Sequence, residues 1–343
     1  MPKPTIRDLA KYCGLSPSAV SSALRNKRNV SEATKARVEL AAKALGYNQD
    51  AKLSQLMSYM RSNKGSQYTP SLVLLHNTPS LTSIDDEPWL SNYVQGSEQR
   101  CRQFGYVLEK MWFRGQTLER LDTILHSRGV EGVILFHPSD VFPASFQNKL
   151  GPFSLCAIEG EHEGRRYPRV ASMGLENIRL AMRSVAKLGY KRPGLVSGQW
   201  VHDTNDGLIR AGFVESQWEI ESSQRIAPLI VENWHLKLPA WYRKNRPDVI
   251  ICGDSTTIFH LNAAGIRVPE DVALVHWNCG SDVADWAGVD SLHREIGAAA
   301  IDLLVAQIHR GETGLPPHPK SIFLSGIWRD GWTCPPLCKE PNP

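Results

Sequence analysis

The stretch TIRDLAKYCGLSPSAVSSALRNKRNVSEATKARVELAAKALGYNQD, residues 5–50, decides how this chain is read. Behind Thr5 as a possible N-cap, Ile6, Leu9 and Ala10 fall at i, i+3, i+4, which predicts a short amphipathic helix. Gly14 allows a tight turn, and Leu15 can plug the angle between two helices. Ser16 is a cap candidate, and Pro17 suits a first helical position, where its missing N–H costs nothing. The second helix is expected from Ser18 to about Asn26, with Ala19, Val20, Ala23 and Leu24 as its apolar stripe. After the basic loop 26–29, Ser31 caps a third helix over Glu32–Leu45, which is expected to bury Val38, Leu40, Ala41 and Leu45 before Gly46 stops it. Two short helices joined by a turn and braced by a third form a helix-turn-helix, whose second helix fits the major groove. Ser16, Ser18, Ser21 and Ser22 could then donate to phosphates or base edges.

The charge distribution agrees with a polyanionic partner. The formal net charge of the 343 residues is only +4, yet residues 1–64 hold twelve Lys/Arg against four Asp/Glu, and the remainder 27 against 31. A compact basic head sits on a mildly acidic body. The length is enough for two or three domains, and 42% apolar with 22% charged residues excludes wholesale disorder. No apolar run reaches the roughly 18–20 residues of a membrane span. The start lacks a secretory leader and the seven cysteines are scattered, so a cytoplasmic, nucleoid-associated protein with reduced thiols is expected.

The same stretch resembles the DNA-binding head of the lactose-repressor (LacI) family. Thr5–Ala10, Gly14-Leu15-Ser16, Ala19-Val20-Ser21, Val30-Ser31 and Leu45-Gly46-Tyr47 all fall where that family has its signature residues. The resemblance implies that Pro17, Ser18 and Ser22 occupy base-reading positions. Thr5, Ser16, Ser21, Arg25 and Asn29 complete the expected DNA-contacting set. In the linker, Leu53, Leu56, Met57 and Met60 recur at helical spacing. By resemblance this segment is a hinge helix, and Leu56 is the residue that wedges into the minor groove and bends the duplex. An ordinary dimer-packing helix is the alternative.

From residue 71 onward, short apolar runs alternate with amphipathic helices. Strands are expected at Leu72–Leu75, Tyr106–Glu109, Gly132–Phe136 and Ser154–Ile158, then at Gly194–Val196, near Arg225–Ala227, and at Val249–Cys252 and Ala273–Val275. Helices are expected at Asn92–Phe104, Leu118–Arg128, Val141–Asn148, Asn177–Leu188, Asp206–Trp218, Leu236–Arg243 and Thr256–Ala264. Such alternation builds parallel sheets covered on both faces, with ligands beyond the carboxyl ends of the strands. Gly265-Ile266-Arg267-Val268-Pro269-Glu270-Asp271-Val272 reproduces the LacI family's G-x-x-V-P-x-D-V element, and Val289–Gly297 is similar to the segment that returns the chain to the first lobe.

The expected fold is an all-α helix-turn-helix head on an α/β periplasmic-binding-protein-like core of two lobes with parallel sheets. The expected organisation is head 1–47, hinge and linker 48–66, first lobe 67–165 plus about 291–322, and second lobe 166–290 plus about 323–343. By position, Trp89, His137, Trp234, Asp254 and Asn278 are candidate effector contacts, the tryptophans through stacking. Three residues depart from the family pattern. Asn278 stands for the ligand-binding aspartate, Ile209 for an arginine and Met173 for an aspartate.

The implied partners are double-stranded operator DNA, a small-molecule effector of carbohydrate type and a second copy of the chain, with no membrane, cofactor or metal. No nucleophile elbow, Walker loop or dinucleotide turn is present, and Cys334-x-x-x-Cys338 lacks a second ligand pair for zinc. The competing class is a sugar-binding protein or α/β enzyme whose basic head serves another purpose.

Overall fold

The computed structural model describes residues 6–24, 30–45, 47, 70–76, 88–113, 117–136, 150–160, 167–205 and 207–337. The expected linker helix and the expected helix 141–148 lie outside these residues.

The head is three helices, α1 (Ile6–Cys13), α2 (Pro17–Leu24) and α3 (Glu32–Leu45). Ser16 Oγ accepts the Ala19 N–H at 3.1 Å and Ser31 Oγ the Thr34 N–H at 3.3 Å, so both serines cap the helices they precede. The turn between α1 and α2 closes on a bond from the Leu15 N–H to the Ala10 carbonyl, 2.9 Å. Leu9, Ala10, Cys13, Val20, Ala23, Val38 and Ala41 form a separate small core. Leu40, expected inside, is 69% exposed. The buried face of α3 runs Val38, Ala41, Ala42, Leu45, and a residue two places after Val38 lies about 200° around the helix, on the solvent side.

The body holds two six-stranded sheets. The first is ordered β11 (Ser321–Leu324), β5 (Arg169–Ser172), β4 (Ser154–Ile158), β3 (Val130–Phe136), β1 (Ser71–His76), β2 (Val107–Trp112), every pair parallel. The second is ordered β12 (Ile327–Arg329), β10 (Gly288–Asp290), β9 (Ala273–Cys279), β8 (Val249–Cys252), β6 (Pro193–Ser197), β7 (Leu229–Ile230), and only β10–β12 is antiparallel. β1, β4, β6 and β8 are buried at every residue, as central strands covered by helices on both faces must be.

Two differences from the sequence reading follow. No strand forms at Arg225–Ala227. A turn at Ser222–Gln224 delays pairing until Leu229. The expected break near residue 165 also falls short, because β5 still pairs with β4 in the first sheet. β11 likewise belongs to the first sheet as far as Leu324.

The first lobe is closed by two helices, α4 (Pro88–Phe104) and α11 (His293–Arg310), packed backbone to backbone. A Cβ on Gly96 would collide with the Arg294 carbonyl oxygen, and one on Gly297 with that of Tyr93. This close approach lets residues 200 positions apart meet, as in the 3.1 Å bond from Ser97 Oγ to the Gly297 carbonyl.

Candidate effector cleft and DNA-binding surface

On the head, Ser16, Pro17 and Ser18 are exposed at the start of α2, while Ser21 and Ser22 are half-buried one turn on. Ser16 Oγ and Ser18 Oγ lie 2.9 Å apart. Small side chains at a helix start let its backbone approach a groove closely, and both hydroxyls can donate there. Thr5, Arg25, Asn29 and Leu56 lie outside the described residues.

The body's polar residues gather where the carboxyl ends of the strands of both lobes meet. Glu159 directly follows β4, and Ser172 ends β5. Glu159 Oε1 accepts the Tyr93 hydroxyl and the Ser172 N–H, each at 2.9 Å, and Ser172 Oγ donates to Oε2 at 3.3 Å. The Tyr93 ring stacks on His293, centroids 4.4 Å apart. His293 Nε2–H donates to Asn278 Oδ1 at 2.9 Å, and the Asn278 N–H donates to His276 Nδ1 at 3.3 Å. A continuous polar chain therefore runs from the first lobe to the end of β9 in the second. Beside it, a cavity of about 250 Å³ is lined by Asn92, Cys279, Asp290, His293, Arg294 and Arg329, among others.

Burial sets the charge state of this chain. It lowers the His293 pKa to about 4, so the imidazole is neutral at physiological pH and carries its one proton toward Asn278. It raises that of the Glu159 carboxyl, against the opposing effect of its hydrogen bonds, and raises that of Tyr93 well above the ordinary phenol value. Glu159 also holds a left-handed backbone, φ 54°, a strained conformation of the kind that clusters at ligand sites.

This arrangement predicts the behaviour of Glu159→Gln. The amide keeps an acceptor for Tyr93 and Ser172 N–H and gives Ser172 Oγ a donor, without a buried charge. A carboxyl whose pKa is raised by folding adds stability below its unfolded value. That stability is lost as pH rises toward the folded value. The variant should therefore melt above the wild type at neutral pH, with the difference vanishing in acid below the ordinary glutamate range. Thermal melts across pH check this, and a lower melting temperature at pH 7 would refute it.

The other candidate effector residues are placed differently. Trp234 begins α9 (Trp234–Asn245) and is buried in the second lobe's core with Val196, Leu229 and Leu238. Its ring meets His260 and His235 edge to face, which marks it as a packing residue. Only its edge approaches the end of β6, where Nε1 would lie 3.8 Å from a Cβ on Gly198. Asp254 is exposed beyond β8, and its Oδ1 caps a turn through the Thr256 N–H (2.8 Å) and hydroxyl (2.6 Å). Trp89 lies in the first turn of α4, its side chain outside the described set, as is His137. Of the three whose side chains are described, Asn278 is the one the structure joins to the interlobe chain.

Tyr93, Glu159, Ser172 and His293 escaped sequence reasoning. Glu159 did carry a signal, an acidic residue closing an apolar strand run just before Gly160. Tyr93 and His293 carried none, since an aromatic on a helix reads as core. Among the described residues, no group of three or more His, Cys, Asp or Glu is placed to hold a metal ion. No described helix is long and apolar enough to cross a membrane. Cys334 is buried with its thiol pKa pushed up to about 12, while Cys338 lies outside the described residues.

Residues 5–50 match the profile of bacterial regulatory proteins of the lacI family. That match gives the chain a lacI-type DNA-binding head. The resemblance extends well beyond the head. The HTH-type transcriptional repressor PurR of Klebsiella pneumoniae (strain 342) is 22% identical over 346 residues, covering 93% of this chain and 95% of the relative. PurR of Escherichia coli O139:H28 (strain E24377A / ETEC) is 24% identical over 362 residues, covering 95% and 98%. Among solved structures, the transcriptional regulator CelR in complex with cellobiose superposes with a TM-score of 0.59 at 21% identity, over 96% of this chain and 99% of that one. The Lac repressor dimer bound to operator and an anti-inducer gives 0.57 at 17% identity, over 97% and 100%. The chain is a DNA-binding transcriptional regulator under small-molecule control.

Proposed function

We propose that this LacI-family regulator is a dimeric repressor whose operator affinity is set by a carbohydrate held between its two lobes. The observation that carries the reading is the polar chain from Glu159 through Tyr93 and His293 to Asn278, which spans the lobes at the carboxyl ends of their strands. A ligand seated against it would bind one lobe arrangement better than another and so populate it. DNA affinity then follows by reciprocal linkage.

A structural neighbour, the regulator CelR, is in complex with cellobiose, which supports a carbohydrate as the class of effector. Because Asn278 is neutral and can both donate and accept, it would meet a hydroxyl group without a charged acceptor. The head reads one half-site through Ser16, Pro17, Ser18, Ser21 and Ser22, with Thr5, Arg25 and Asn29 as further contacts. Leu56 acts as the wedge at the operator centre. The dimer presents two heads to a pseudo-palindrome. Leu236 and Phe259, 72% and 70% exposed on the neighbouring helices α9 and α10 (Thr257–Ala263), suit burial against the second copy. The protein works in the cytoplasm on the nucleoid, without catalysis of its own.

Selection of bound duplexes from a random library, with the full-length protein at two salt concentrations, tests this. A two-fold-symmetric site is expected. Its affinity should fall by about a thousandfold or more between roughly 50 and 200 mM salt if six or more phosphates are contacted. Failure to enrich any sequence, both without ligand and with a sugar mixture, would rule out the repressor reading.

A further inference from the structure

The chain passes between the lobes three times, from β5 into α6 (Gly174–Lys187), from β10 into α11, and from β11 into β12. On the first-lobe side, the first and third crossings are held together by the ladder, where Leu324 pairs with Ser172. The Met173 N–H also donates to the Leu324 carbonyl at 2.9 Å. On the second-lobe side, Asp290 pairs with Ile327, which holds the second and third crossings together. Neither ladder ties the first crossing to the second.

One side chain makes that tie. Asn177, in the first turn of α6, is fully buried, and its Nδ2 donates to Ser291 Oγ at 2.9 Å. Its Oδ1 accepts the Gly326 N–H, also at 2.9 Å. Ser291 is fully buried too. The room between the crossings is filled. A Cβ on Gly326 would overlap Val289, sit 2.7 Å from the Asp290 carbonyl oxygen and 2.9 Å from Asn177 Oδ1. Burying a carboxamide is costly unless its donors and acceptor are met, so its presence here asks for a reason.

We infer that Asn177 is the pin of the interlobe hinge, a positioning residue that locks the three crossings into one bundle so that the lobes turn about a single axis. The segment it holds matters for the cleft. Ser291 is followed by Leu292 in a left-handed backbone, φ 59°, and then by His293, whose ring is bonded to Asn278. With Ser291 fixed, the strained Leu292 transmits lobe rotation to His293. With Ser291 released, the second crossing relaxes independently of the other two. The device needs no particular effector and would act on whichever ligand the cleft takes.

Distances between the lobes in the full-length protein test it without DNA or ligand. Spin labels are placed on exposed Glu119 of the first lobe and exposed Lys244 of the second, by chemistry that spares thiols. The labelled chain is diluted into unlabelled protein. Wild type should give one narrow distance peak by pulsed dipolar spectroscopy, and Asn177→Ala should lose it to a broad distribution. Ser291→Ala, which removes one of the two bonds, should lie between them and decides the matter if Asn177→Ala does not fold.

Gln217→Leu serves as the control. It strips the Ile226 N–H of its buried 2.8 Å partner inside the second lobe, far in sequence from any crossing. It should lower the melting temperature and keep the narrow peak. A peak that stays narrow in folded Asn177→Ala overturns the inference, and equal broadening in Gln217→Leu overturns it as well. Because the readout involves no duplex, failure of the hinge assignment and failure of the repressor reading are separate results.

Discussion

Protein lacking residues 1–64 loses all sequence-specific duplex binding and keeps a folded, two-lobed body. The head's small core, from Leu9 to Ala41, is built from its own residues, and the cores of the two lobes include none of them. Each side should therefore melt on its own. The deletion also takes away twelve basic residues and only four acidic ones, and the remaining 31 acidic against 27 basic residues leave a body that a polyanion does not favour.

Specific sites are typically about 10³- to 10⁷-fold tighter than non-specific DNA, and the whole of that margin should vanish. Fluorescence anisotropy with the selected duplex measures the loss. Circular dichroism and a cooperative melt of the truncated protein establish that the body is intact. Retained preference for the selected site would place the DNA reader outside the head and end the helix-turn-helix assignment.

Gly297→Val carries the second large effect. The added side chain would strike the Tyr93 carbonyl and lie within 2.9 Å of Ser97 Oγ, where backbone cannot give way cheaply. Forcing groups into a packed contact costs about 1–3 kcal/mol, and a contact with main chain belongs at or above the upper end of that range. The damage reaches the cleft, because α4 carries Tyr93 and α11 begins at His293. Separating the helices breaks the 4.4 Å ring stack and pulls Tyr93 from Glu159.

Gly96→Val pushes on the same pair of helices through the Arg294 carbonyl and should cost about as much. Once one valine has parted the helices the second has little left to disturb, so the double variant should be less destabilised than the two singles together. Denaturant unfolding of all three variants checks this. Wild-type stability in Gly297→Val would show that the two helices are not in backbone contact.

Much of this architecture is local information. Apolar spacing in residues 6–45 specifies the head's helices, and Ser16 and Ser31 announce their starts, because capping and periodicity act over a single turn. The fully apolar runs at Leu72–Leu75 and Val249–Cys252 likewise announce central parallel strands. Where local pattern misled, a neighbour decided. Leu40 has a core residue's chemistry but sits on the face of α3 with nothing to cover it. Arg225–Ala227 has strand character but lies one turn ahead of the edge that pairs.

The cleft was legible only in part. Asn278 could be located from the sequence because it stands beside a recognisable strand. Trp234 could be located as well, yet packing rather than ligand stacking accounts for its ring. Asn278's own side-chain partner, His293, is only 15 positions away, but the contacts that build the rest of the cleft and the hinge come from far along the chain. Tyr93 meets Glu159 across 66 positions, Asn177 meets Ser291 across 114, and Ser97 meets Gly297 across 200.

The sequence by itself determined a basic helix-turn-helix head on an alternating α/β body, since charge and periodicity are written residue by residue. Tertiary structure alone decided which lobe each late strand joins, which buried carboxyl and imidazole share one tyrosine between them, and which asparagine ties the crossings. Those depend on three passages of the chain between two sheets and on glycines that let helices touch, and such long-range closeness leaves no periodic trace in the order of the residues.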